Sequence, residues 1–122
     1  MAKLAVNLLI VGTSTLLAEA LALGQRGGLK WAQLWQVVLA SAAASPVVHA
    51  KAPALQAHDC TPAFTVVQTQ KDVALIRAAA QNLGAATPVA DVASLALDHA
   101  VAADERGDDC VVFIRDDLVA AG

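Results

Sequence analysis

The chain has 122 residues, enough for one domain and too few for two ordinary ones. Hydrophobic residues make up 57% and charged residues 16%; much of the apolar content is alanine and only 3% is aromatic, a helical composition that excludes a sheet of bulky strand formers. A formal net charge of −3, with eight scattered basic residues, excludes a general nucleic-acid surface, which needs clustered Lys and Arg to displace counterions.

The first helix is expected over about residues 2–25, with Gly27-Gly28 supplying the backbone freedom for its stop. Residues 4–18 carry no charge, so Lys3 and Asn7 stand alone at the head of an apolar rod. Residues at i and i+4 share a helix face, so an ammonium and a carboxamide project together. A lysine head that is partly buried loses solvation of its charged form and becomes a candidate proton donor or acceptor, and the plain alternative is a solvated residue near a chain terminus.

The same opening has features of a secretory leader, with Lys3, an apolar stretch and small residues around Ala18, Ala20 and Ala22. Asn7, Gly12-Thr13-Ser14-Thr15 and Glu19 interrupt it, which also weakens a membrane span of about 20 mainly apolar residues. A helix packed among protein neighbours is expected, with Lys3, Asn7 and Ser14 on one polar stripe and leucines over the rest.

A second helix is expected over residues 30–42, where Trp31, Leu34, Trp35, Val38 and Leu39 recur at core spacing. Ser45-Pro46 caps and starts a third helix, which Pro53 limits or kinks, and residues 58–63 read as a loop. The fourth helix is expected over residues 65–83 and ends at Gly84, with Val73, Ile76 and Ala80 on one side and Gln70, Arg77 and Gln81 on others. Thr87-Pro88 opens a fifth, through Val92, Leu95, Leu97 and Val101, to near Gly107. Val111 to Ile114 has strand propensity but nothing to pair with, so a short final helix is expected from Asp108.

Eight of the eleven acids fall between Asp91 and Asp117, a solvated acidic edge without the alternating oxygen ligands of a calcium loop. Cys60 and Cys110 are fifty residues apart, and His58-Asp59-Cys60 is too short a cluster to specify zinc. Reduced thiols, no metal site and a cytoplasmic setting are expected. His49 and His99 have no partner at ligand or catalytic spacing.

Lys3-Leu4 with Asn7, Ala18-Glu19-Ala20-Leu21, Gly28-Leu29, Phe64, Lys71-Asp72 with Leu75, Gly84, Pro88, and Gly107 with Asp109 form an ordered series over nearly the whole chain. It resembles the C-terminal helical domain of the β-hydroxyacid dehydrogenases, the 3-hydroxyisobutyrate dehydrogenase-like family. The resemblance implies an all-α bundle around one long buried N-terminal helix, of the type of the 6-phosphogluconate dehydrogenase C-terminal domain. It also implies an enzyme that moves a hydride between NAD or NADP and the carbinol carbon of a small β-hydroxy acid. In that family the lysine of the Lys-x-x-x-Asn motif relays the hydroxyl proton and the asparagine holds the substrate, roles that fall on Lys3 and Asn7. The Lys-Asp lysine approaches the cofactor, which falls on Lys71; Asp72 serves packing or charge balance, and Phe64 lies near the same cleft.

Two features depart from the family pattern. Only Met1-Ala2 stand where a glycine-rich approach is usual, and Val111 and Val112 stand where small residues are usual. The GxGxxG loop of a dinucleotide-binding domain is missing from the sequence. The expectation is therefore a substrate-binding and dimerisation domain, residues 1–122, inactive by itself and homodimeric through its apolar excess. The alternative is a helical interaction module that kept the fold and lost the chemistry.

Overall fold

The computed structural model describes residues 1–59 and 65–102. Five helices account for the regular structure there: α1 (Ala2–Arg26), α2 (Trp31–Ala40), α3 (Pro46–Gln56), α4 (Val66–Leu83) and α5 (Pro88–Ala102). No strand occurs among the described residues, so the all-α expectation holds. Phe64, Cys60, Cys110 and the expected final helix lie outside the described residues.

Local chemistry sets most helix ends. The Ser45 side chain accepts from the Val48 amide at 3.4 Å, and Pro46, having no N–H to leave unpaired, takes the first helical position of α3. Pro53 does not stop α3, which continues to Gln56 with Pro53 on its exposed side. A capping box starts α4: the Gln68 amide donates to Thr65 Oγ1 at 3.2 Å, and the Thr65 amide donates to Gln68 Oε1 at 2.9 Å. Gly84 ends α4 with φ 68°, a left-handed conformation that a side chain disfavours.

α1 is the hub, touching each of the other four helices. α4 and α5 form an antiparallel pair whose register is marked by Gln70 Nε2 donating to Asp98 Oδ1 at 2.7 Å and Arg77 Nε donating to Asp91 Oδ1 at 2.8 Å. Leu21, Trp35, Val66, Val73 and Leu97 are fully buried, and removing such side chains from water supplies about 1.5–3 kcal/mol each. Ala18, Ala52, Ala90, Ala93 and Ala100 are also buried; their small volume lets helix axes approach closely. Ser14 and Thr15 are buried too, their hydroxyls donating to the carbonyls of Ile10 and Val11 one turn earlier, so the polar middle of α1 is satisfied within the helix.

All four neighbours sit toward one side of α1. Val11, Leu17, Ala18 and Leu21 face them, whereas Leu9, Leu16 and Leu23 remain 70%, 63% and 75% exposed. The leucines of α1 therefore divide between a packed face and an open one.

Candidate functional site

Two short motifs meet where α1 and α4 run past each other in opposite directions. Asn7, on α1, donates from Nδ2 to Asp72 Oδ2 of α4 at 3.4 Å in a half-buried contact. Ionised Asp72 can only accept, so the carboxamide must turn its nitrogen toward α4 and its oxygen away. That orientation leaves the second Nδ2 hydrogen of Asn7 as a donor and its Oδ1 as an acceptor. Lys3, one turn earlier on the same face, is exposed and forms no ion pair among the described residues. Lys71 precedes Asp72 on α4 and is also exposed.

The structure thus brings Asn7 and Asp72, 65 positions apart in sequence, together where the two helices meet; Lys3 stands one helical turn from Asn7 on α1, and Lys71 precedes Asp72 on α4. The α4 side of this junction is anchored locally. The α4 capping box and the Thr69 hydroxyl, which donates to the Thr65 carbonyl at 3.0 Å, fix the turn before Lys71. Phe64 falls outside the described residues.

Two grooves lie near by. One, of about 130 Å³, runs between the same helices and is lined by Met1, Leu4 and Leu8 of α1 and Ile76, Ala79 and Leu83 of α4. Its apolar lining offers a carboxylate no partner, so the polar junction is the better candidate for a hydroxy acid. The other, of about 610 Å³, opens at the α4–α5 turn beside Arg77, Gln81, Thr87 and Asp91. There the Arg77 guanidinium is already committed to Asp91 and, at 3.3 Å, to Ser94. Neither groove combines a free cation with an acceptor as the junction does.

The residue that sequence reasoning undervalued is Asp72, read there as a packing or charge-balancing helper; its contact with Asn7 is invisible until the two helices are paired. A second long-range contact was also unforeseen. His58, at φ 53°, stacks on Trp31 with ring centroids 5.2 Å apart and planes 18° apart, while Trp31 Nε1 donates to the Gln56 carbonyl at 3.3 Å. The pair fastens the exit of α3 to α2.

The family model described as NAD-binding of NADP-dependent 3-hydroxyisobutyrate dehydrogenase matches residues 1–115. This chain belongs to the 3-hydroxyisobutyrate dehydrogenase family. It is similar to the solved 3-hydroxyisobutyrate dehydrogenase from Salmonella typhimurium at 26% identity and a TM-score of 0.87, covering 93% of this chain and 40% of that one. The Mycobacterium tuberculosis 3-hydroxyisobutyrate dehydrogenase, solved with L-serine, is similar at 25% identity and a TM-score of 0.82, covering 93% and 41%. No curated protein matches the chain. The chain spans about 40% of the length of these solved 3-hydroxyisobutyrate dehydrogenases.

The described residues fit part of a nicotinamide cofactor's needs. Lys3 and Lys71 place two exposed cations on neighbouring helices, suited to anionic or carboxamide groups. The sequence has no glycine-rich turn opening a helix to receive a pyrophosphate.

Proposed function

We propose that this chain is the substrate-binding and dimerisation domain of an NAD(P)-dependent β-hydroxyacid dehydrogenase and is inactive by itself. The observation that supports this reading is the Asn7–Asp72 hydrogen bond, a contact between a residue of the Lys-x-x-x-Asn motif and a residue of the Lys-Asp pair. A bound nicotinamide would supply the acceptor for the carbinol hydride, with Lys71 the residue of this chain that would contact it. Lys3 in its neutral form takes the hydroxyl proton as that hydride departs, and in reduction the protonated amine returns it. Asn7 holds the substrate by donating its second Nδ2 hydrogen to the hydroxyl oxygen, which leaves the hydroxyl's one proton directed at Lys3, one turn away on the same face. Asp72 holds the carboxamide in that orientation, and Lys71 contacts the cofactor. Most of the cofactor is held by a separate nucleotide-binding domain, in a cytoplasmic enzyme.

The test is a nicotinamide absorbance assay on the purified chain and on the chain fused behind the nucleotide-binding domain of a full-length relative. The isolated chain is expected to be silent and the fusion to reduce NAD or NADP with a β-hydroxy acid. Turnover by the isolated chain would reject the need for a second domain. A folded fusion that binds nucleotide but oxidises no β-hydroxy acid would favour the non-catalytic module.

A further inference from the structure

The apolar groove between α1 and α4 begins where the polar junction ends. On α4, Asp72, Ile76, Ala79 and Leu83 lie within about 60° of one another around the helix, so the stripe that starts at the Asn7–Asp72 hydrogen bond continues as one wall of the groove. On α1, Leu4 and Leu8 each follow a residue of the Lys-x-x-x-Asn pair and supply the facing wall. Ile76 is buried and Leu4, Leu8 and Ala79 are half-buried, so packing holds both walls in place. Because the helices run in opposite directions, one turn from Asn7 to Lys3 matches one turn from Asp72 to Ile76. Lys3 therefore comes level with the start of the groove, an exposed ammonium beside an apolar channel.

Such a site suits an amphiphilic acid. A carboxylate finds a cation at Lys3 and no partner in the groove, whereas a hydrocarbon arm finds an apolar lining one turn from the junction. The groove holds about 130 Å³, and at about 30 Å³ for each water-sized group that is room for about four methylene or methyl groups. The arm belongs on the carbon between carboxylate and carbinol, the α carbon of the acid. Placed there it leaves the carbinol carbon open, while a substituent on the carbinol carbon would crowd the face from which the hydride must leave.

We infer that this groove selects the substrate, favouring β-hydroxy acids with a hydrocarbon arm of up to about four carbons on the α carbon over the unsubstituted acid. The inference rests on the function proposed above for the chemistry at Lys3 and Asn7, and it adds Leu4, Leu8, Ile76 and Ala79 as the residues that set specificity. Ala79 fixes the depth of the groove, because a larger side chain there would take the space of the arm.

Methyl NMR of the chain labelled at leucine and isoleucine tests binding without turnover. Titration with α-butyl-β-hydroxypropanoate should shift the Leu4, Leu8 and Ile76 methyl signals. Affinity should rise about two- to fourfold per carbon from β-hydroxypropanoate through its α-methyl, α-propyl and α-butyl derivatives, then level off at α-hexyl. Ala79→Leu should cut the ratio of butyl to unsubstituted affinity at least ~5-fold, and Leu8→Ala, which enlarges the groove, should carry the gain on to α-hexyl. In the fused enzyme kcat/KM should follow the same series. Groove methyls that do not move, affinity that is flat across the series, or an Ala79→Leu chain that keeps the full ratio would each overturn the proposal. Equal kcat/KM for every acid would also overturn it and leave the catalytic reading standing. Groove binding that follows the series with no oxidation of any acid would uphold the groove and reject the catalytic reading.

Discussion

Gly24→Ala sets two effects of known size against each other. In a bare helix, alanine is better than glycine by about 1 kcal/mol, so propensity favours the change. A Cβ built at Gly24 would stand 2.7 Å and 3.0 Å from the two Cδ atoms of Leu34 and 3.4 Å from its Cγ. Carbon atoms prefer about 3.5–4.0 Å, so three atoms of one side chain are crowded at once. Leu34 is 6% exposed and belongs to the core beside Trp35, leaving its methyls little room to swing away. Overpacking of this kind costs about 1–3 kcal/mol, which cancels or exceeds the propensity gain, so a net loss of about 0–2 kcal/mol is expected. Urea unfolding followed by Trp31 and Trp35 fluorescence measures it. In a Leu34→Ala background the clash is absent, and Gly24→Ala should turn stabilising by up to ~1 kcal/mol. Stabilisation by Gly24→Ala in the native background would refute the claim that Gly24 exists to let α2 approach α1.

Other expectations follow from single contacts. Thr65→Ala removes the side-chain half of the α4 capping box and should cost about 1 kcal/mol in the same urea titration, with no loss of total helix content at low denaturant. Gly84→Ala forces a side chain into a φ of 68° and should cost about 1 kcal/mol, again read from the unfolding midpoint. In the fused enzyme, Lys71→Met should raise the nucleotide KM more than it lowers kcat; a kcat loss at unchanged KM would move Lys71 from cofactor contact to proton transfer.

Much of the fold was legible because its signals are local. The Trp31, Leu34, Trp35 spacing, Ser45-Pro46, Gly84 and Thr87-Pro88 each act within one or two turns, and each of these helices begins or ends near them; the Thr65–Gln68 capping box was as local but was not read. Pro53 was harder to place, since the sequence does not show that α3 can run through it to Gln56. The candidate site was half legible. Lys3 and Asn7 are linked by helix period alone, but the bond from Asn7 to Asp72 spans 65 positions and depends on how α1 and α4 pack. The division of α1 into packed and open leucines was likewise hidden, because composition counts apolar residues without saying which neighbours cover them.

Lys3 carries the central claim, and one substitution in the fused enzyme reaches it directly. Lys3→Met keeps the apolar stem of an exposed side chain and removes the amine, so folding should be untouched. Single-turnover reduction of NAD or NADP by a β-hydroxy acid should slow by at least ~10²-fold, the usual scale for a lost general acid–base group, with substrate affinity little changed. Near-native single-turnover rates in Lys3→Met would contradict the account and leave Lys3 a solvated residue at the head of α1.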